Sequence, residues 1–597
     1  MKCWPTKTWY KMKAGNPNIK YSTMKKLLIG APFLLLILLS ACKKSGFLDN
    51  QANTSLTAAQ VFSDSILTMN FLGRIYEDAG FSFYKTRFQT GNTEVDTDDG
   101  VSTGSNAQDM GIILAIGTVG PLNFPNTDFW NTPYADIRRV NLFISELPIT
   151  PLSPTTRQRV AAEARFLRAW YYHKLICTFG GVPLIGDTVF QATDFINIPR
   201  SPFAKCVDYI TSELDTAATQ LPAQYSQLDY GRATQGACLA LKSRVLLYAA
   251  SPLFNGGAIT TDPSLAGIIS YPTYDVGHWQ KAADAANALI QLNRYQLVTD
   301  NTTAPGYGFY NLFLQRVNTE YILGYYRAPN KDFESIYNPI SRGGTKLIMP
   351  TQNAAAAFPM KNGKALTDPS SGYNANNPYA NRDPRFGYSF IYNGSTYYST
   401  TVASQATVLT YQGAPSDGFP ITATGYYSRK MCDANVSANS SFTTDRAWPL
   451  IRYAEILLNY AEAINETGQT QLAYTVLTQL RDRAGIDPGG DGLYGIAPGM
   501  TVDQMRSFIQ NERRIELFNE DHRWEDIRRW KIGVTVNNSY NDAMQITKSG
   551  ASYTYKVVSV AVAGAFPRHV MTEKNYLLPI PESEILKMPA MVQNPGY

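Results

Sequence analysis

Apolar residues recur every three to four positions through much of the first half of the chain, which is the spacing of amphipathic helices. The longest such run extends from Thr155 to Phe179, where Leu167, Tyr171 and Leu175 recur before Gly180-Gly181 ends the helix. Further helices are predicted at Thr57 to Tyr76, Phe129 to Leu147, Pro202 to Gln220, Ala233 to Ala250 and Trp279 to Leu292.

Residues 295–445 have a different pattern. Asn, Gly, Tyr, Thr and Ser dominate, and apolar residues occur in short alternating stretches such as Tyr321-Ile322-Leu323-Gly324-Tyr325. This pattern predicts loops with a few short strands. So long an irregular stretch is typical of a functional region. Helical spacing returns at 446–531.

Two helices of this later region have the spacing of a tetratricopeptide unit. Ala461 and Ala473 lie twelve residues apart with Gly468 between them, and small residues at this spacing let two antiparallel helices approach closely. The earlier helices pair similarly, 129–147 with 155–179 and 202–220 with 233–250. We therefore predict a mainly α protein, an α-solenoid of tetratricopeptide-like helix pairs with a large irregular region of loops and short strands.

Composition and charge narrow the class of protein. The 38 Tyr, 27 Phe and 8 Trp can build a large core, and a charged fraction of 17% argues against disorder. The formal charge of +5 arises from residues 1–41, which hold seven Lys and no acid, and the remaining 46 basic and 48 acidic residues nearly balance. A near-neutral body argues against nucleic acid as a partner. Four scattered His argue against zinc or His-based catalysis.

Residues 24–42 have the architecture of a secretion signal. Two Lys precede an apolar run from Leu27 to Leu39, which is too short to span a bilayer. Leu39-Ser40-Ala41-Cys42 is similar to a bacterial lipobox, so we expect cleavage before Cys42 and acylation of that residue, which would anchor the chain. An ordinary signal peptide that contains a Cys is the alternative. The signal is complete from Met24, so we predict Met24 as the true start and 1–41 as a signal peptide.

Nine short stretches then follow one another in a recognisable order. They are Gly180-Gly181-Val182-Pro183-Leu184, Gly231-Arg232-Ala233-Thr234, residues 381–386 (NRDPRF), 424–427 (TGYY), 448–455 (WPLIRYAE), 512–517 (ERRIEL), 523–527 (RWEDI), 578–581 (LPIP) and 593–597 (QNPGY). Together with the lipobox, these stretches resemble the SusD/RagB family of Bacteroidetes surface lipoproteins, and the resemblance covers nearly all of residues 42–597.

The resemblance implies four tetratricopeptide-like helix pairs with an irregular ligand-binding face. It also implies an outer-membrane lipoprotein, without a cofactor, that binds oligosaccharides or polysaccharides without cleaving them and delivers them to a SusC-like TonB-dependent transporter. A minority of the family, similar to RagB, is linked to peptides. We expect one body over 42–597, with an N-terminal helical part at 42–294, a binding region at 295–445 and a C-terminal helical part at 446–597.

The segment after the acylated Cys departs from the family pattern. Many members carry acidic residues there, which help export to the cell surface. In this chain Lys43, Lys44, Ser45 and Gly46 come first, and Asp49 is the first acid. We expect the anchored chain to face the cell exterior, with a periplasm-facing anchor as the alternative.

The densest run of acids, Glu94 to Gly100, is the first candidate ligand region. Asp96, Asp98 and Asp99 can accept hydrogen bonds from sugar hydroxyls, and the family's ligand sites draw on this N-terminal region. The run is partly similar to a calcium loop, whose ligands are oxygens at alternate positions, but it lacks the bidentate Glu of such a loop. We expect a sugar contact here and keep a cation site as the alternative.

Aromatic residues of the irregular regions are the second candidates, because a flat exposed ring covers the C–H face of a sugar. These residues are Phe83, Tyr84 and Phe88 in the first loop and Tyr307, Phe309, Tyr326, Phe333 and Tyr337 in the second. Of these we select Tyr84, Tyr326, Phe333 and Tyr337. Aromatics on helix faces, such as Trp170 and Tyr460, are expected in the core.

Three further features are interpreted as structural. Residues 511–531 carry equal numbers of acids and bases, which predicts helix-face ion pairs at i, i+3 and i+4. Asp383 precedes a Pro and is expected in a turn. Cys177, Cys206, Cys238 and Cys432 are expected as free buried thiols, although the compartment would permit a disulfide.

Two other classes of protein stay open at this point. A surface glycoside hydrolase would need two carboxylates about 5–10 Å apart in a cleft. A tetratricopeptide scaffold that binds only protein would show a smooth concave helical surface and no aromatic platform. The chain has no G-x-S-x-G, Walker A or dinucleotide-binding motif.

Overall fold

The computed structural model describes residues 56–80, 93–102, 110–123, 127–226, 229–257, 259–397, 406–436, 441–562 and 566–597. Contacts divide the chain into a short unit, residues 1–61, and a body, residues 62–597. In the short unit the described residues are 56–61, and Ala58 begins a short helix.

The longer helices form the framework of the body. In chain order they are α1 Ser65–Ala79, α2 Thr132–Glu146, α3 Pro154–Phe179, α4 Phe203–Ala218, α5 Gln235–Ala250, α6 Gly277–Ile290, α7 Tyr453–Glu466, α8 Thr470–Arg483 and α9 Val502–Glu516. From α2 to α8 each helix packs on the next, α9 packs on α7, and α1 packs on α2 and α3. The predicted α-solenoid is confirmed.

The irregular region interrupts one helix pair. Helices α6 and α7 pack together although residues 291–452 lie between them in sequence. Strand β2, Tyr321–Tyr326, pairs with strand β6, Ala447–Arg452, at the end of this segment, and β6 is followed directly by α7. The long irregular segment is therefore an insertion that is closed by a strand pair and held at the side of the solenoid.

The strands are short and form two-stranded antiparallel pairs. They are β1 Gly100–Ser102, β2 Tyr321–Tyr326, β3 Ile348–Pro350, β4 Phe390–Ile391, β5 Tyr427–Ser428, β6 Ala447–Arg452, β7 Asn541–Ser549 and β8 Ser552–Val560. The pairs are β1–β3, β2–β6, β4–β5 and β7–β8. Short helices complete the fold at Ala58–Phe62, Met110–Ala115, Pro263–Ile269, Tyr307–Asn311, Asp332–Tyr337, Gln352–Ala357, Pro384–Ser389, Arg523–Arg529, Gly533–Val536 and Glu582–Lys587.

Three boundaries differ from the sequence prediction. The helix predicted over 57–76 is broken, because the Asp64 side chain accepts hydrogen bonds from the first backbone N–H groups of α1 and starts a new helix there. The region predicted as helical from 446 begins with strand β6, and its C-terminal part contains the hairpin β7–β8. Short apolar runs do not distinguish strand from helix by spacing alone.

The helix pair α7–α8 has the close approach that its small residues predict. Ala461 and Ala473 are fully buried in one apolar cluster. Gly468 lies between the two helices with φ +82°, a conformation that favours glycine. Both observations confirm the tetratricopeptide-like packing of this pair.

A fully buried network of charges joins the insertion to the last helices. We call it the ionic core, and its members are Glu320, Asp383, Arg385, Lys430, Arg452, Arg481, Arg483, Glu512, Glu516 and Glu520. Glu516 is its centre, with Arg452 at 2.7 Å, Arg385 at 3.0 Å and Arg483 also in contact. The five cations and five carboxylates balance. The network ties residues distant in sequence into one rigid unit.

The interpretation of 511–531 as a structural segment is confirmed, but the predicted pairing is wrong for most of its charges. Arg528 pairs with Glu525 and Arg529 with Asp526 at i, i+3. Arg514 and Arg523 both reach Asp98, more than four hundred residues away in sequence, and Arg529 also binds Glu462 at 2.5 Å. The segment is a junction between parts of the fold rather than a solvated helix face.

The remaining structural expectations also hold. The Asp383 carboxylate accepts a hydrogen bond from the Arg385 backbone N–H at 2.9 Å and caps the short helix Pro384–Ser389. The four described cysteines are free and buried. Among the helices that the structure describes, none is both long and apolar enough to cross a membrane.

Candidate functional site

Two adjoining pockets lie beside strand β2. Both are lined by Tyr230, Gly231, Arg232, Gly324 and Tyr326. Pocket A, of about 430 Å³, is further lined by Tyr76, Glu77, Phe166, Leu167, Asp229 and Tyr325. Pocket B, of about 440 Å³, is further lined by Tyr225, Thr234, Arg294, Tyr295, Asn318 and Thr319. The shared residues make the two pockets neighbouring parts of one site.

Tyr326 lies at the junction of the two pockets. Its ring meets the ring of Tyr230 edge to face, with centroids 5.3 Å apart and planes at 71°. The Arg316 guanidinium lies 5.1 Å from the Tyr326 ring centroid. Both aromatic rings are half-buried, so part of each surface faces the pockets.

Two glycines make room for the Tyr326 ring. A Cβ atom at Gly231 would lie 2.5 Å from Cδ2 of Tyr326, and one at Gly324 would lie 2.9 Å from Cε2. Gly231 also has φ +101°, which a residue with a side chain rarely adopts. The Tyr326 ring therefore packs directly against the backbone at both glycines.

Glu163 of helix α3 binds three of the residues that line the two pockets. Its buried carboxylate accepts hydrogen bonds from Tyr76 at 2.9 Å, from Arg232 at 2.9 Å and from Tyr225 at 3.2 Å. The Tyr76 hydroxyl in turn accepts a hydrogen bond from the backbone N–H of Ala233 at 2.9 Å. One carboxylate thus holds α1 and the connection between α4 and α5 in place.

The connection between α4 and α5 contains the run Gly231-Arg232-Ala233-Thr234. Gly231 makes room for Tyr326, Arg232 binds Glu163, and the Thr234 side chain caps α5 by accepting a hydrogen bond from Ala237 N–H at 3.1 Å. Each of these three residues therefore helps to fix the conformation of the connection, and together they place Tyr230 opposite Tyr326.

The tyrosine hydroxyls of the site are neutral hydrogen-bonding groups. Burial, and then the neighbouring Glu163 carboxylate, raises the pKa of Tyr76 well above its ordinary value. Burial and the neighbouring Tyr230 also raise the pKa of Tyr326. Both phenols stay protonated at physiological pH, and the Tyr76 hydroxyl is already used in its bonds to Glu163 and Ala233.

The carboxylates that line pocket A are in ion pairs. Asp229 binds Arg232 at 2.7 Å, and Glu77 lies 3.5 Å from Arg74. The arrangement of ring faces, hydroxyls and balanced charges can bind a molecule with an apolar face and a polar rim. No group of His, Cys, Asp or Glu in the described ranges is arranged to hold a metal ion.

Of the aromatics selected from the sequence, Tyr326 lies in the site. Its contact with a ligand stays a prediction. The expected exposure of Phe333 and Tyr337 is wrong, because both are 2% exposed. They lie on the short helix Asp332–Tyr337, where Phe333 stacks on Trp448 at 5.7 Å. Tyr84, like Phe83 and Phe88, lies outside the described residues, as does Cys42.

The expected accessibility of Asp96, Asp98 and Asp99 is also wrong, because all three are buried. Asp98 accepts from Arg523 at 2.9 Å, and Asp99 accepts from Arg514 at 2.7 Å. Burial alone would raise the pKa of Asp98, but these two guanidinium groups hold it below its usual range. Asp98 and Asp99 already accept from these arginines, and Asp96 is buried at 2% exposure, so these acids are not placed to meet sugar hydroxyls at the surface.

Sequence reasoning missed most of the residues around Tyr326. Tyr225 and Tyr230 lie between two predicted helices, Tyr76 is on a helix face, and Tyr295 follows α6. The pair Tyr230-Gly231 in a connection between helices could have indicated the site, since such connections lie on the surface and often carry binding residues. Tyr76 had no such signal, because its spacing is that of a core residue.

Comparisons with known proteins agree with this fold. Residues 313–597 match the model of the SusD family, and residues 46–247 match a model described as starch-binding associating with outer membrane. SusD-like protein P2 of Formosa agariphila is 24% identical over 511 residues, covering 80% of this chain and 82% of the relative.

Solved structures give the same result. A SusD-like protein from Bacteroides fragilis NCTC 9343 is 26% identical, covers 90% of this chain and 98% of its own, and superimposes with a TM-score of 0.71. A structure titled laminarin binding SusD-like protein covers 90% of this chain and 100% of its own at 19% identity, with a TM-score of 0.59. The fold is that of a helical outer-membrane-associated class of protein. Within that class, this chain belongs to the SusD/RagB family.

Proposed function

We propose that this protein binds oligosaccharides or polysaccharides in pockets A and B and does not cleave them. The observation that carries the proposal is the grouping of five half-buried tyrosines, Tyr76, Tyr225, Tyr230, Tyr295 and Tyr326, around two joined pockets with polar rims. A sugar ring has C–H faces that suit such rings and hydroxyls that suit their rims. The starch-binding description of one matching family model and the laminarin-binding title of a related structure support the same class of ligand.

The proposed location is the outer membrane, facing the cell exterior. Cys42 would be acylated after removal of residues 1–41 and would hold the body at the membrane surface. The outer-membrane wording of the family description supports this placement. A Cys42→Ala variant should leave the membrane fraction, and protease added to intact cells should digest the wild-type protein. Protection of the wild type would favour an anchor that faces the periplasm.

The proposed partner is a SusC-like TonB-dependent transporter, to which the bound glycan would be delivered. Family membership supports this role. Co-purification from detergent-solubilised membranes should recover an outer-membrane β-barrel transporter with the tagged protein. Recovery of the protein alone, under conditions that preserve other membrane complexes, would count against the delivery role.

Binding is best tested with the full mature chain in detergent against plant, host and microbial polysaccharides, by affinity gel and calorimetry. Reducing-sugar release is measured on the same samples. We expect binding without release. Release would contradict the non-catalytic role, and binding of peptides in place of glycans would move the assignment to a RagB-like member.

The site is tested with variants of Tyr326. Tyr326→Ala removes the ring at the junction of the pockets and should weaken glycan binding about 10-fold, since a buried aromatic contact contributes roughly 0.5–1.5 kcal/mol beyond its area. Tyr326→Phe keeps the ring and should bind nearly as wild type. Tyr540→Ala is the matched control, because Tyr540 is 51% exposed and lines neither pocket. Equal binding by Tyr326→Ala and the control would place the ligand elsewhere.

A further inference from the structure

Pockets A and B differ in charge. Pocket A is lined by Glu77, Asp229 and Arg232. The described lining of pocket B contains Arg232 and Arg294 and no Asp or Glu. Since the pockets share Arg232, the difference lies in the two acids on one side and Arg294 on the other. The two acids of pocket A are in ion pairs with Arg232 and Arg74, so the charge difference between the pockets rests on Arg294.

The charge of Arg232 is already balanced. Its guanidinium binds Glu163 at 2.9 Å and Asp229 at 2.7 Å. Glu163 is fully buried and also binds Tyr76, so its position is fixed by the wall of the site. Arg232 is thus a fixed part of the wall rather than an open anion receptor.

Arg294 differs from Arg232 in this respect. Its guanidinium donates a hydrogen bond to a neutral group, the Gln235 side-chain oxygen, at 2.8 Å, and no carboxylate in the described part of the chain forms an ion pair with it. An arginine has five N–H donors in a planar fork that fits a carboxylate or a sulfate. The side chain is exposed, so a ligand in pocket B can reach these donors.

Two further features of pocket B suit an anionic sugar. Tyr295, the neighbour of Arg294 in sequence, packs so closely that its hydroxyl oxygen would lie 2.1 Å from a Cβ at Gly236, which fixes the ring against the start of α5. Thr234, the N-cap of the sixteen-residue helix α5, also lines this pocket. The positive end of the helix dipole adds to the field of Arg294.

We infer that pocket B takes a sugar unit that carries an anionic group, either the carboxylate of a uronic acid or a sulfate ester, with Arg294 as its counter-ion. The aromatic rings would hold the sugar face while Arg294 binds the acidic substituent at its edge. This inference rests on the proposed glycan-binding function and specifies its ligand class as acidic.

The test uses two matched pairs of polysaccharide with the full mature chain in detergent. Polygalacturonate is compared with its carboxyl-reduced form, and carrageenan with its desulfated form. We expect at least one acidic member to bind about 10-fold tighter than its neutral partner, and the pair that shows the preference identifies carboxylate or sulfate. The preference should shrink at high salt, because exposed charges are screened.

Variants separate this inference from the proposed function. Arg294→Gln should weaken binding of the acidic glycan about 5- to 10-fold and leave the neutral partner unchanged, and Arg294→Lys should restore part of the loss. Arg568→Gln is the matched control at an exposed arginine outside both pockets. Neutral glycan binding that depends on Tyr326, with no acidic preference and no effect of Arg294→Gln, would overturn this inference alone. Failure to bind any glycan would contradict the proposed function as well.

Discussion

The ionic core and the two pockets both contain arginine and carboxylate side chains, but these groups differ in burial and in pairing. In the ionic core, arginines and carboxylates are fully buried and their charges cancel, as in the contacts of Glu516 with Arg385 and Arg452. Around the pockets, tyrosines are half-buried and Arg294 has a neutral partner. The ionic core has more charged residues, but its charges are used in contacts with one another. The pockets are better suited to bind a ligand, because their tyrosines and Arg294 have surface and donors that are not used in this way.

The two regions are also joined through the same strand pair. Glu320 immediately precedes β2 and belongs to the ionic core, while Tyr326 at the other end of β2 lies between the pockets. Arg452 at the end of β6 is opposite Tyr321 in the register. The ionic core thus fixes one end of the strand that carries the ring at the site.

The largest expected effect comes from breaking the ionic core at its centre. Glu516→Ala leaves Arg385, Arg452 and Arg483 with excess buried positive charge, and loss of one partner of a buried pair typically costs about 3–5 kcal/mol. Urea unfolding should show this loss of stability. Asp503→Ala is the control, because its ion pair with Arg506 is exposed and should contribute less than about 1 kcal/mol. Similar losses of stability in Glu516→Ala and Asp503→Ala would contradict the distinction between the buried ionic core and an exposed ion pair.

The ionic core should also lose its contribution to the stability of the fold at low pH. Burial would raise the pKa of Glu516, but Arg483, Arg452 and Arg385 hold it below its usual range. A carboxyl with a depressed pKa in the folded state contributes stability above its unfolded pKa of about 4.3 and loses it as the pH falls. Stability of the wild type should therefore drop below roughly pH 4, and the Glu516→Ala variant should show a shallower dependence in the same titration.

An intermediate effect is expected from displacing the ring at the site without touching the ionic core. In Gly231→Ala the new Cβ would lie 2.5 Å from Tyr326, so the ring must move and glycan affinity should fall about 10-fold. Gly372→Ala is a matched control, since Gly372 has φ +78° and open space around its Cβ position. Both variants carry backbone strain of about 1–2 kcal/mol. Calorimetry with the same glycan should separate them, and equal affinities would contradict the role of the ring.

The fold could be predicted from local patterns, whereas the site could not. Helical spacing and the small residues Ala461 and Ala473 are local signals, and they correctly indicate a solenoid. The hairpin β7–β8 does carry a local signal, the alternation of residues 552–557 (SYTYKV) after Gly550, and the prediction of a helical part over 446–597 overlooked it. Tyr326 was identified from its irregular surroundings, but the same reasoning selected Phe333, which a short helix turns into the core.

The acidic run shows why long-range partners limit such predictions. Asp98 and Asp99 look like solvated acids in sequence, but Arg514 and Arg523, more than four hundred residues later, bury and neutralise them. Nothing near them in sequence reveals this pairing. Arg514 and Arg523 were in turn expected to pair within their own helices, so one missed contact produced both errors.

The smallest effect is expected at Asp96, which is as buried as the ionic core but lacks its pairing. Among the residues that the structure describes, neither carboxylate oxygen of Asp96 has a hydrogen-bond partner. Burial, and then the charges of Asp521 and Glu94, raises its pKa well above the ordinary value. A carboxyl with a raised pKa in the folded state favours folding below about pH 4 and loses that contribution as the pH rises.

Asp96→Asn is uncharged at every pH and should therefore be more stable than the wild type at pH 7, by about 1 kcal/mol, the usual size of a stabilising substitution. Near pH 4 the two proteins should differ little. Urea unfolding at both pH values measures the difference, with Asp503→Asn as an exposed control that changes neither value appreciably. Lower stability of Asp96→Asn at pH 7 would mean that the carboxylate is stabilised by a bound cation, which is the alternative that the sequence left open for this loop.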